Sequence, residues 1–145
     1  MSLYRNKPNA RQLIDFHGVS SGKLYPTDID GIFELGNKLW IVFEIKHISA
    51  NVPGGQNWLL ERLTDNLETI APTICIIAEH DTYEDVDLST CKVRKFREFG
   101  KWHKPKKPTL FLAMWKEFIY ETTGMSWEEI GNRCAEPGLR SREVS

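Results

Sequence analysis

The stretch YPTDIDGIFELGNKLWIVFEIKH, running from Tyr25 to His47, decides the fold. Its second half, LWIVFEIK from Leu39 to Lys46, is rich in β-branched and aromatic residues and reads as a strand. Leu24 to Glu34 reads as an earlier strand and Gly36-Asn37 as a turn signal, so the pair is expected to form a β-hairpin. Leu39, Ile41, Phe43 and Ile45 fall on one side of the second strand, Trp40 and Val42 on the other. A strand apolar on both faces belongs in the middle of a sheet covered on both sides. Glu44 and Lys46 break that apolar run, and ionised groups in such a strand are costly unless paired or bound to metal.

Outward from the hairpin, Leu59, Leu63, Leu67 and Ile70 recur at helical spacing, with Glu61, Arg62, Asp65 and Glu68 between them, and Pro72 stops the helix. Thr73 to Ala78, TICIIA, reads as another short buried strand, followed by an acidic loop to Asp87. Strand, helix, strand implies a crossover, right-handed if the strands are parallel. A strand over Val93 to Phe99 has imperfect alternation and gives way to a proline-containing loop at Lys104 to Pro108. Thr109 can open a helix to Tyr120, and Ser126 with Glu129 makes the capping box of a last short helix. At the N-terminal end a short helix is expected from Pro8 to Phe16. The expected fold is α/β: one domain over residues 1–135, with a central mixed sheet of about four strands flanked by helices on both faces, and a mobile tail over 136–145.

With 145 residues and 41% hydrophobic composition, the chain can bury one core. It contains no apolar run long enough to span a bilayer, and MSLYRNKPNARQ lacks the apolar segment of a secretory signal, so a cytoplasmic protein without a membrane partner is expected. Cys75, Cys91 and Cys134 are too scattered for a disulfide framework or a CxxC metal site and read as thiols in the fold. Net charge is only -1, but Lys92 to Lys107 carries eight basic residues against one acidic, Glu98. Lys92, Arg94, Lys95, Arg97, Lys101 and Lys104 therefore read either as a polyanion-binding segment or as a solvated loop. Trp102 within that window suits stacking on a base or packing beside prolines. Trp58, Trp115 and Trp127 read as helix-to-core anchors. Of the four histidines, His17, His47, His80 and His103, only His47 adjoins the charged strand end, where it could meet a phosphate.

Residues two apart in a strand share a face, so Glu44 pairs with Lys46, and Asp28 with Asp30. Whether the two pairs share one face is a matter of parity. A two-residue Gly36-Asn37 turn would set Asp30 against Phe43 and send the aspartates away from Glu44. A five-residue connection would set Asp30 opposite Glu44, a three-residue one Asp28, and a bulge could correct a two-residue turn. One of these, with Gly36 or Asn37 left-handed, is expected. Converging carboxylates suit Mg²⁺ or Mn²⁺, since no His and Cys set for zinc lies nearby. The competing reading is a salt bridge at the open end of the hairpin.

At Pro26-Thr-Asp-Ile-Asp30-Gly31-Ile32 and Glu44-Ile-Lys46 the sequence resembles the PD-(D/E)xK nuclease superfamily, which sets an acidic residue on one strand and E-x-K on the next. It also resembles small phage-encoded proteins with T-D-I-D, E-x-K, G-Q and E-R-L blocks, the last two here being Gly55-Gln56 and Glu61-Arg62-Leu63. The resemblance covers roughly the central third of the chain. It implies a restriction-endonuclease-like core, metal ligation by Asp30 and Glu44, with Asp28 as the other candidate aspartate, and a catalytic role for Lys46. By the same resemblance the Ile45 carbonyl is a further metal ligand. Gln56 is either the active-site glutamine of some branches or a polar residue in a first helical turn. The sequence departs from the pattern where many members add a glutamate from a long first helix; here that helix is short and offers Asp15.

The function expected is Mg²⁺- or Mn²⁺-dependent hydrolysis of phosphodiester bonds in DNA or RNA, with the basic window gripping the backbone. One rival is an inactive nuclease fold of a phage or mobile element that binds nucleic acid or inhibits a host protein. A second is an assembly protein that forms homodimers or larger oligomers through its acidic and basic halves.

Overall fold

The computed structural model describes residues 15–134. Most of the expected Pro8 to Phe16 helix and all of the 136–145 tail lie outside them. The chain is α/β, with a five-stranded mixed sheet in the order β1-β2-β3-β4-β5. The strands are β1 (Gly31–Glu34), β2 (Trp40–His47), β3 (Thr73–His80), β4 (Lys92–Glu98) and β5 (Lys101–His103). Three helices complete it: α1 (Gly54–Glu68), α2 (Phe111–Thr123) and α3 (Trp127–Cys134). Only β2 and β3 run parallel, joined through α1; the other neighbours are antiparallel. None of the described helices is long and apolar enough to cross a membrane.

The two faces of β2 and β3 explain the two layers. Ile41, Ile74, Ile76 and Ala78 point into the larger core with Phe111, Phe118 and Ile119 of α2 and Ile130 of α3. Val42, Cys75 and Ile77 point the other way and pack against Leu60, Leu63 and Leu67 of α1. Burial on both sides is what an apolar β2 requires. Cys75 sits inside this second layer, and burial pushes its thiol up to about 12. Ser126 caps α3 by accepting the Glu129 N–H at 3.1 Å.

Several expectations need correction. The first strand begins at Gly31, so Asp28 and Asp30 precede it. Pro26 has no N–H to offer a ladder, and the Asp30 carboxylate takes the Ile45 N–H that a longer strand would have bonded through backbone. A fifth strand, not foreseen, folds back from β4 through Phe99 and Gly100, whose φ angles of 54° and 73° make the left-handed turn favoured between twisted strands. The imperfect alternation of β4 is a bulge: Ile77 faces Lys95 and Ala78 faces Val93, leaving Arg94 as the extra residue. Trp115 and Trp127 do anchor the core, both against Phe33. Trp58 does not, being 60% exposed, because α1 turns Leu60 and Thr64 rather than Trp58 toward the sheet.

Candidate functional site

The parity of the hairpin resolves in favour of convergence. Glu34 pairs with Trp40, leaving five residues, Leu35 to Leu39, in the connection, and Gly31 pairs with Phe43. Gly36 and Asn37 are both left-handed, with φ of 50° and 62°. One step beyond Gly31 the same register sets Asp30 opposite Glu44. Gly31 is required at this point because the Phe43 ring lies across it: a Cβ there would come within 2.2 Å of the Phe43 Cζ. Removing that Cβ lets the chain approach β2 closely enough for Asp30 to reach it.

Asp30 and Glu44 then interlock. The Ile45 N–H donates to Asp30 Oδ2 at 2.6 Å, and the Asp30 N–H donates to Glu44 Oε2 at 3.2 Å. Lys46, two residues along the same face, sets its Nζ 3.3 Å from Glu44 Oε1. Gln56, in the first turn of α1, donates through Nε2 to Glu44 Oε1 at 2.9 Å and to the Asp28 carbonyl at 3.3 Å. Asp28 itself is exposed at the rim. Glu44 is only 3% exposed, and that burial, reinforced by the negative charge of Asp30, raises its carboxyl above the usual 4.5 despite the opposing pull of the Asp30 N–H and Lys46. These groups line a cleft of about 710 Å³ together with the segment from Lys23 to Thr27.

Do these residues fit a divalent cation? Two carboxylates held together with one buried create the negative potential that a cation relieves, and Gln56 Oε1 is buried with no partner among the described residues. Because the Ile45 N–H points to the Asp30 side of β2, its carbonyl faces that side too. Mg²⁺ commonly takes one or two carboxylates and keeps several waters. Among the described residues no three His, Cys, Asp or Glu side chains gather closely enough to form a fuller cage. The donor set fits a sparsely ligated, hard cation and does not fit zinc.

The basic window divides in two. Arg97, 9% exposed, is locked to Asp65 of α1 by two bonds of 2.8 and 2.9 Å. Lys95 donates to Asn57 Oδ1 at 3.0 Å and lies 4.2 Å above the Trp102 ring, whose N–H donates to Glu61 at 2.7 Å. Burial lowers the Lys95 ammonium pKa. Arg94 bonds Glu79 and the carbonyls of Ala50 and His47. Trp102 is thus a packing residue and not an open stacking platform, and Arg94, Lys95 and Arg97 are occupied within the fold. Lys92, Lys101 and Lys104 remain exposed. Asn57 was not singled out in sequence, and Glu61 and Asp65 only as polar positions of the helix, yet their four-residue spacing puts one polar face of α1 over the alternating cations of β4. His47 is engaged as well: its ring stacks on Tyr83 at 4.7 Å and its Nδ1 lies 2.7 Å from Ser49 Oγ.

Compared with known proteins, the chain matches no family model, no curated protein and no solved structure.

Proposed function

We propose that this protein is a metal-dependent nuclease of restriction-endonuclease-like fold, hydrolysing phosphodiester bonds at the Asp30–Glu44–Lys46 cluster. The observation that carries the reading is the convergence of Asp30 and Glu44 from adjacent chain segments, with Lys46 Nζ 3.3 Å from Glu44, at the base of an open cleft. The parallel β2 and β3 around α1, extended by antiparallel neighbours, support the fold assignment.

Asp30, Glu44 and the Ile45 carbonyl would hold Mg²⁺ or Mn²⁺. Such a cation supplies Lewis acidity, polarising the phosphodiester and lowering the pKa of an attacking water. Lys46 offers a positive charge beside the reacting phosphate, where negative charge grows in the transition state. Gln56 fixes the rotamer of Glu44 and tethers the Asp28 backbone, so it positions the acidic pair. The first turn of α1 opens on the same cleft, and the unpaired N–H groups of a helix start favour a phosphate nearby. Lys92, Lys101 and Lys104 supply exposed charge for the nucleic-acid backbone.

A second reading is a fold that binds nucleic acid or a host protein without cutting. Cleavage of linear and branched DNA and of RNA, followed with Mg²⁺ or Mn²⁺, separates the two. Asp30→Ala, Glu44→Gln and Lys46→Ala are each expected to lower the rate by at least about 100-fold. Saturating Mg²⁺ at about 100 times its Kd should add about 2.7 kcal/mol, or about 5–10 °C in Tm, to wild type and little to Glu44→Gln. Undiminished cleavage by the three variants would refute the assignment, and nucleic-acid binding without any cleavage would select the second reading.

A further inference from the structure

Part of the cleft wall is built from Lys23 to Thr27, well before β1, and nothing in the proposed hydrolysis uses that stretch. Its tip is a tight turn: Ser21 and Leu24 exchange two backbone hydrogen bonds of 2.9 Å across Gly22-Lys23, and Gly22 adopts φ 59° as the turn demands. Pro26 holds Tyr25 to extended backbone. Gln56 clamps the base of the wall through the Asp28 carbonyl. Yet Tyr25 lines the cleft 67% exposed, with the exposed Lys23 lining it two residues away. An exposed aromatic ring beside an exposed cation is the surface that a base and its phosphate satisfy together. The cleft, about 710 Å³, lies within the size range of small-molecule sites.

We infer that this wall seats one unpaired nucleotide, Tyr25 stacking on its base and Lys23 meeting a flanking phosphate, so that the substrate class is single-stranded nucleic acid. The inference rests on the reading of the cleft as a nuclease site, and it adds that the strand must be unpaired where it is cut. Stacking of this kind is sequence-tolerant, because every base offers a π face.

The test is equilibrium binding of a fluorescent oligonucleotide, as single-stranded DNA, single-stranded RNA and DNA duplex, in chelator so that no turnover occurs. Wild type is expected to prefer the single strands. Tyr25→Ala should weaken them about 5- to 150-fold while Tyr25→Phe retains binding, and Lys23→Ala should flatten the salt dependence by about 0.7 in log–log slope. Both side chains are exposed, so an unchanged Tm confirms that folding is not the cause. Equal binding of duplex and single strand, no effect of Tyr25→Ala, or no binding of any of the three overturns the inference. Failure of the hydrolytic reading looks different: binding would depend on Tyr25 while no divalent cation supports cleavage.

Discussion

Adding one methyl group at Gly31 tests the packing that brings the aspartate to β2. In Gly31→Ala the new Cβ would lie 2.2 Å from Phe43 Cζ and within 2.8 Å of both Cε atoms, against an ordinary contact of 3.4–4 Å. The ring would have to retreat by roughly 1 Å, as overpacked side chains do. Its path is closed by Phe111, at 5.5 Å between ring centroids, and Trp115, at 6.3 Å, which touch each other. Overpacking of this sort costs about 1–3 kcal/mol, or about 3–10 °C in Tm for a domain of this size. Because Asp30 precedes Gly31 directly, the same displacement should shrink the Tm gain from Mg²⁺. Urea unfolding followed by tryptophan fluorescence measures the loss, and the double variant Gly31→Ala/Phe43→Leu should recover part of it, with a coupling of about 0.5–3 kcal/mol. A loss below about 0.5 kcal/mol, within the usual scatter for harmless surface changes, or strict additivity in the double variant, would refute the reasoning.

Two carboxylates remote from the cleft should respond to pH in opposite directions. Burial, with Glu121 and Glu68 adding to it, raises the Glu98 carboxyl above 4.5 in the folded state. Its contribution to stability is therefore fully present below pH 4.5 and lost as pH rises through the folded value, so Glu98→Gln should gain on wild type as pH increases, in thermal melts across that range. Asp65 is the reverse: its bonds to Arg97 hold it below 3.8, and its contribution is present above that value and lost as pH falls through the folded one. Since the Asp65 side chain is 41% exposed, Asp65→Asn should cost about 1–2 kcal/mol at neutral pH, less than a fully buried pair would. The melting curves of that variant and wild type should converge in acid, and a constant gap would contradict the assignment.

Much of the site was legible because its grammar is local. An apolar strand ending in Glu44-Ile-Lys46, a hairpin turn signal and a period of two were enough to state that Asp30 meets Glu44 only for particular connection lengths, and the five-residue connection is one of them. What escaped depended on tertiary competition. The Asp30 side chain replaced backbone pairing and shortened β1, which composition cannot announce. The basic window invited a partner outside the chain, but a helix about 30–40 residues earlier in sequence already met its buried members through Asn57, Glu61 and Asp65. Likewise, β5 is a three-residue strand, too short to leave a periodic signal, and its turn was disguised by Phe99 in a left-handed position usually given to glycine or asparagine.

The bulge in β4 reaches further than the sheet it interrupts. By standing out of the ladder, Arg94 is free to grip the carbonyls of His47 and Ala50, the very residues through which the chain leaves β2 on its way to α1. The launch angle of that helix is thus moored to a strand on the opposite flank of β3. Arg94 is one of several such ties, since Lys95 and Arg97 of the same strand hold Asn57 and Asp65 of the helix, so a strand beyond β3 braces both the helix and the loop that leads to Gln56.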